Sequence, residues 1–232
     1  MTGIIIQARM GSSRLPGKVL KDFEGNTLLG HISNRLKKIS SIAKIIIATS
    51  KKEQDNPIEE FCLEQKIECF RGEELNVLKR YYDCATKYQF ENIVRMTGDN
   101  PFPDIEELDR LIGFHKKNQM DFSENFSVLP IGVGMEIMSY RALKDSYLHA
   151  TLPKHFEHAD EYILDYLDQY KHGILEVPTI KNKPEIRLTV DTPMDYDKAC
   201  FILKMAKGNY VTTEDAITYS NQYDSLQEEN NG

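Results

Sequence analysis

Gly3-Ile-Ile-Ile-Gln-Ala-Arg-Met-Gly-Ser-Ser-Arg-Leu-Pro-Gly-Lys18 joins an apolar run to a dense set of glycines, hydroxyls and cations. Ile4 to Ile6 is β-branched and reads as a buried strand. The residues after it read as a loop. Gly11, Ser12, Ser13 and Gly17 let its backbone approach a ligand closely, and successive N–H groups there can form an anion nest. Arg9, Arg14 and Lys18 add positive charge; Arg suits bidentate contact with phosphate, and Lys acts as a point charge. The combination predicts a polyphosphate cradle at the end of a strand. It is not a Walker A loop, because five residues separate Gly11 from Gly17 and Val19 follows Lys18 where Ser or Thr is required. Nor is it G-x-G-x-x-G, which disfavours a dinucleotide site. The plain alternative is a flexible connection, and the density of charge and glycine in one turn argues against it.

Outward from this loop, helix and strand patterns alternate. Residues 27–39 carry Leu28, Leu29, Ile32, Leu36 and Ile39 at helical spacing. Residues 43–49 read as a strand, Asp55-Asn-Pro57 as a helix start, and 67–70 as a third strand. Residues 74–88 read as a helix with Leu75, Leu78, Tyr81, Tyr82 and Ala85 on one face, and 92–96 as a fourth strand. The pattern predicts a three-layer α/β/α sandwich with a mostly parallel sheet and ligands beyond the carboxyl ends of its strands. One domain spans residues 1–223, with a small arm over about 127–180, and 224–232 reads as a disordered tail.

Asp99 follows the fourth strand among turn formers. It either helps hold Mg²⁺, which takes oxygen ligands from one or two carboxylates and substrate phosphates, or caps its own turn. Asp104 reads as the cap of a helix over 105–117. Leu188 to Val190 is strand-like, and Asp191 just beyond it is a candidate partner for Asp99. Asp195 reads as the cap of a helix over 196–206. His155, Glu157 and His158 do not have the H-E-x-x-H spacing of a zinc helix and read as solvated or acceptor-facing.

The chain has 232 residues and a net charge of -7, which argues against general nucleic-acid affinity. No apolar run is long enough to span a membrane, and no leader pattern opens the chain. Cys62, Cys69, Cys84 and Cys200 contain no C-x-x-C pair and read as reduced thiols in a cytoplasmic protein.

Four segments, in order, resemble the cytidylyltransferase family that activates sugar acids, which includes the acylneuraminate and ketodeoxyoctonate enzymes. They are Ile4 to Leu20, Arg71-Gly72 to Leu78-Lys-Arg80-Tyr81, Arg95-Met-Thr97-Gly98-Asp99-Asn100-Pro101, and Arg187-Leu-Thr-Val-Asp191-Thr-Pro-Met-Asp195. The branch it resembles most is typified by spore coat polysaccharide biosynthesis protein F. The resemblance implies transfer of CMP from CTP to a small anionic acceptor, with release of pyrophosphate. It implies catalytic roles for Arg9, Lys18, Asp99 and Asp191, with Asp99 and Asp191 as Mg²⁺ ligands. It implies substrate contacts from Ala8, Met10, Gly11, Ser12, Ser13, Arg14, Arg71, Thr97, Gly98, Asn100, Glu136 and Arg187, and it points to a homodimer. One departure stands out: the branch often carries Asp-Gly-Leu-Asp-Val-Glu where this chain has Ile131 to Glu136, so Ile131 and Gly134 replace acids on the acceptor side. Lys154, His155, His158 and Arg187 are the cations expected there. The rival readings are a nucleotide-sugar glycosyltransferase, a nucleotidyltransferase for a phosphorylated non-sugar acceptor, and a non-catalytic relative. The density of cations in the first loop disfavours the glycosyltransferase, and Lys18, Asp99 and Asp191 disfavour the non-catalytic relative.

Overall fold

A computed structural model describes residues 1–208 and 210–231. Its first half alternates strand and helix as the periodicity predicts: β1 (Thr2–Gln7), α1 (Leu28–Leu36), β2 (Ala43–Ser50), α2 (Asn56–Glu64), β3 (Glu68–Gly72), α3 (Val77–Tyr88), β4 (Asn92–Thr97) and α4 (Ile105–Asn118). The second half adds β5 (Phe122–Glu124), β6 (Glu136–Ser139), α5 (Tyr140–His149), α6 (Pro153–Glu157), α7 (Glu161–Asp165), β7 (His172–Ile174), α8 (Pro193–Met205) and α9 (Thr213–Asn231).

The strands form one sheet in the order β3-β2-β1-β4-β6-β5-β7. β1 to β4 are mutually parallel, and β6 runs antiparallel to both β4 and β5. Alternation along the central strands divides the core into two layers. Ile4 and Ile6 of β1 face α1, α2, α4 and α8, while Ile5 faces α3, α5 and α7. All three isoleucines are fully buried, and each such burial contributes roughly 1.5–3 kcal/mol. The sandwich expected from sequence is therefore present.

Helix starts follow local chemistry. The Thr27, Asn76 and Asp104 side chains each accept from a backbone N–H in the first turn of α1, α3 and α4. For α8 the cap is Thr192, not Asp195. Asp195 is the reciprocal member of a capping box, with Pro193 in the first turn.

Other expectations are corrected. Asn76 caps α3, which begins at Val77, three residues later than the apolar pattern suggests, and Leu75 is 81% exposed. Residues 188–190 form no strand; Arg187 makes one isolated bridge to Ile131 instead. The 127–180 stretch, expected as a small arm, also supplies β6 next to β4 and β7 at the sheet edge. The expected disordered tail continues α9 to Asn231, and Gly232 lies outside the described residues.

Gly134 has no space for a side chain. A Cβ there would lie 2.4 Å from Phe126 Cα and 2.8 Å from the Asn125 carbonyl oxygen. Asn125 holds this loop by accepting from Met135 N through Oδ1 at 2.8 Å. Gly134→Asp, which restores the acid common in the branch, is expected to cost about 2–4 kcal/mol, since backbone must move. Urea denaturation checks this, and an unchanged midpoint would show that the loop re-forms freely.

His115 on α4 is buried, with Nδ1 2.6 Å from Ser123 Oγ and Nε2 3.1 Å from Asn92 Oδ1. Burial pushes its imidazole down to about 4 from 6.5. Below 6.5 the unfolded chain therefore takes up a proton that the folded protein refuses. Stability from this group is complete above that value and is lost as pH falls towards 4, by about 3 kcal/mol at the limit. His115→Gln is expected to flatten the acid side of the stability curve in denaturation measured from about pH 7.5 to 4.5. An acid limb as steep as the wild type's would remove His115 as its source.

Candidate active site

The sheet's topological switch point lies between β1 and β4, because β1 leads to β2 on one side while β4 packs on the other. Ligands of open α/β sheets bind beyond the carboxyl ends at such points. Gln7 and Thr97, the last residues of these strands, are register partners. Gly98 N donates to the Gln7 carbonyl at 2.8 Å and Ala8 N to the Ala48 carbonyl at 3.1 Å, so the first loop leaves a fixed base.

The loop then folds back on itself. Ser12 N and Gly17 N both donate to the Met10 carbonyl at 3.0 Å. Gly17 has φ 69°, the left-handed region that glycine tolerates best, and it turns the chain into a short 3-10 turn over Lys18–Leu20. That turn carries Lys18 inward. Its Nζ donates to Asp99 Oδ2 at 2.8 Å, to Asp191 Oδ1 at 3.0 Å and to the Val190 carbonyl at 2.8 Å. Lys18 is thus buried, not exposed as its place in a polar loop suggests. Two carboxylates from distant segments converge on one ammonium.

A cavity of about 380 Å³ opens above this triad. It is lined by Ala8, Arg9, Gly11, Ser12, Ser13, Arg14, Lys18, Thr97, Gly98, Asp99 and Asp191, together with Gln7, Val19, Glu157 and His158. Arg14 Nη2 lies 3.2 Å from Asp191 Oδ1, with its side chain 61% exposed. Burial opposes ionisation of Asp191, but hydrogen bonds from Lys18 and Arg187 and the Arg14 charge outweigh it and hold its carboxyl below the usual range. Asp191 is therefore an anion at neutral pH.

Five of the expected substrate contacts do not line the cavity. Met10 gives its N–H to Asp55 Oδ1 at 2.8 Å. Arg71 donates to the Ser50 carbonyl at 3.0 Å and the Lys52 carbonyl at 2.8 Å, and pairs with Glu59 at 2.7 Å. Asn100 sits one residue beyond the lining Asp99. Glu136 is buried in β6 against Arg95; burial pushes its carboxyl up to about 7 despite that partner. Arg187 pairs with Asp191 and lies 3.5 Å from Asp195. Of the cations expected on the acceptor side, Lys154 is taken up by Glu161 at 3.1 Å and Asp165 at 2.5 Å. His155 is fully buried with Nε2 2.9 Å from Asp165 Oδ2, which corrects its solvent-facing assignment. Only His158 of that group reaches the cavity.

Asp55 is a site residue the sequence does not reveal. It is completely buried at the start of α2, where Oδ1 holds Met10 N and Oδ2 accepts from Ser50 Oγ. It reads locally as a helix start, and nothing nearby in sequence signals that it fixes the first loop.

A larger cavity, about 480 Å³, lies by Arg35, Asp104, Lys181 and Tyr210, away from the switch point. Its two buried cations already have partners: Arg35 donates to the Val211 and Pro103 carbonyls, and Lys181 pairs with Asp104 at 3.0 Å and Glu107 at 3.2 Å. Size alone does not make it the reaction site.

Among the described residues, no group of three or more His, Cys, Asp or Glu side chains could hold a metal ion. The pair Asp99 and Asp191 nonetheless suits Mg²⁺, which commonly takes one or two protein carboxylates and completes its shell with water and phosphate oxygens. Both carboxylates bond the Lys18 ammonium, so they lie near enough to each other to offer oxygens to one ion.

The fold is of the α/β nucleotidyltransferase type. The family model for cytidylyltransferases matches residues 3–221, and the chain belongs to that family. It is 38% identical over 198 residues to spore coat polysaccharide biosynthesis protein SpsF of Bacillus subtilis, covering 83% of this chain and 82% of that one. A solved cytidylyltransferase from Leptospira borgpetersenii superposes with a TM-score of 0.87 at 30% identity, covering 97% of this chain and 95% of the other. The fold extends to a CMP:2-keto-3-deoxy-manno-octonic acid synthetase solved with CTP, at a TM-score of 0.66 and 18% identity, covering 90% of this chain and 99% of the other.

Proposed function

We propose that the protein transfers CMP from CTP to a small acidic acceptor, a sugar acid used in surface polysaccharide or glycan synthesis, and releases pyrophosphate. The observation that carries this reading is the convergence of Lys18, Asp99 and Asp191 at the floor of a cavity walled by Arg9, Arg14 and loop glycines. The name of the B. subtilis relative supports the polysaccharide setting, and the CTP complex of the octonic acid synthetase supports the nucleotide.

In this reading the first loop binds the triphosphate through its N–H groups, and Arg9 and Arg14 neutralise it. Arg9 makes no ion pair with any described residue and is free for that role. An acceptor oxygen attacks the α-phosphorus in line with the departing pyrophosphate, so the chain's task is positioning and charge neutralisation. Mg²⁺, held by Asp99 and Asp191, would supply further neutralisation of the phosphates when bound. His158 is the cavity-lining residue left to meet an acceptor's acid group, and Glu157 is placed to accept from its hydroxyls.

The nucleotide half is tested by calorimetric titration with the four nucleoside triphosphates. CTP is expected to bind most tightly, and equal affinity for UTP would overturn the cytosine assignment. We also assign the protein to the cytoplasm as a homodimer. Leu148, Leu152 and Tyr166 are exposed apolar side chains of the α5–α7 region that pairing would cover. Light scattering at micromolar concentration is expected to give twice the chain mass, and a monomer mass counts against the dimer.

A further inference from the structure

All four cysteines are free thiols, yet two of them are not isolated. α2 ends at Glu64, and a three-residue turn with Lys66 in the left-handed region, φ 54°, sends the chain directly into β3. Ile67 N closes this turn on the Cys62 carbonyl at 2.9 Å. The turn sets Cys62 of α2 and Cys69 of β3 on the wall of one cavity. This open surface cavity is about 440 Å³, with Glu59, Lys66 and Glu68 at its edge. Cys62 is buried and Cys69 half-buried, so only Cys69 is readily reached from solvent.

We propose that Cys62 and Cys69 form a reversible oxidation site, in which a hydroperoxide converts the Cys69 thiol to a sulfenic acid and Cys62 resolves it to an intramolecular disulfide. The Cys69 thiolate attacks the outer peroxide oxygen, the O–O bond breaks, and the leaving oxygen takes up a proton. The Cys62 sulfur then attacks Cys69, the S–O bond breaks, and the hydroxyl departs as water with the Cys62 proton. Two electrons pass from the two thiols to one peroxide, and thiol reductants reverse the change. The chemistry of the pair suits these roles. Cys62 holds the Cys69 thiol below its ordinary range, and half-exposed thiolates are the ones oxidised first. Cys84, by contrast, is buried in the opposite core layer, where burial pushes its thiol up to about 12. In a reducing compartment a disulfide of this kind is transient, as sensing disulfides are.

The pair also has a mechanical route to the reaction site. α2, which carries Cys62, begins just after Asp55, the residue that holds Met10 N of the first loop. β3, which carries Cys69, also carries Arg71, which ties down the Ser50 and Lys52 carbonyls and Glu59 of α2. A new bond between α2 and β3 bears on the element that fixes the cradle. This coupling rests on the nucleotidyl-transfer reading; the oxidation chemistry does not.

The test is intact-mass analysis of the full chain after reductant removal and treatment with a few equivalents of hydrogen peroxide. Wild type is expected to lose about 2 Da, two hydrogens, to yield a 62–69 cross-linked peptide, and to recover with dithiothreitol. Cys62→Ala should instead accumulate a Cys69 sulfenic acid that dimedone traps, and Cys69→Ser should show neither product. Two alkylatable thiols at 62 and 69 after peroxide, or a disulfide that uses Cys84 or Cys200, would overturn the proposal. Loss of CTP affinity in the oxidised wild type but not in peroxide-treated Cys62→Ala would establish the coupling. Unchanged affinity in the cross-linked protein would overturn the coupling alone.

Discussion

Lys18→Ala is expected to lower turnover by about 10²-fold or more, equivalent to roughly 3 kcal/mol of transition-state stabilisation. Lys18 stands at the one point where Asp99, Asp191 and the Val190 carbonyl meet, and its side chain is only 10% exposed. A charge fixed there by three acceptors needs no reorganisation when negative charge develops on a phosphate beside it. The same burial gives the substitution a second effect. Without the ammonium, two carboxylates face each other and a buried carbonyl loses its donor, which costs about 2 kcal/mol after allowance for their partial exposure. Loss of activity should therefore come with a lower unfolding midpoint, and divalent cations should restore part of that midpoint by screening the carboxylates. Lys18→Arg keeps the charge and should recover stability more than turnover, because a planar fork cannot reproduce three donors from one nitrogen. Wild-type turnover in a folded Lys18→Ala protein would remove Lys18 from the mechanism.

Asp99→Asn and Asp191→Asn are each expected to reduce divalent-metal-dependent activity by about 10³-fold or more, since an amide keeps the shape and loses the charge a hard cation requires. The two are not equivalent. Asp191 is held by Lys18, Arg14 and Arg187 at once, so its substitution frees three cations. Asp99 shares only Lys18 among these, and its carbonyl separately accepts from Val190 N at 2.8 Å. Asp191→Asn should consequently destabilise the fold more, while the activity losses are similar. Kinetics with metal titration separate the cases. If only one substitution hurts, that residue is the ligand and the other serves to hold Lys18.

Much of this arrangement was legible in the chain, and the limit is physical. The Ile4–Ile6 strand, the loop after it and the Asp104 cap depend on neighbours within a few residues, so local pattern suffices. Lys18 looks exposed because its own segment is polar. Its burial comes from partners 81 and 173 positions away, which no local pattern contains. Asp55 is hidden for the same reason, as its partner Met10 lies 45 positions away. Leu188 to Val190 has strand composition, but Leu188 N is used in the single isolated bridge to Ile131 and Val190 N is committed to the Asp99 carbonyl, so the pairing stops at one rung. His155 has a polar neighbourhood in sequence, yet α6 turns it under the surface towards Asp165.

The central claim is cytidylyl transfer to an acid, and it is tested most directly by pyrophosphate release with Mg²⁺, each of the four nucleoside triphosphates and a panel of acceptors. The panel holds sugar acids, phosphorylated non-sugar compounds and neutral sugars. Release is expected with CTP above ATP, GTP and UTP, only when an acidic acceptor is present, with a CMP-linked product of matching mass. Equal release with UTP, or turnover of a neutral sugar and of no acid, would contradict the account.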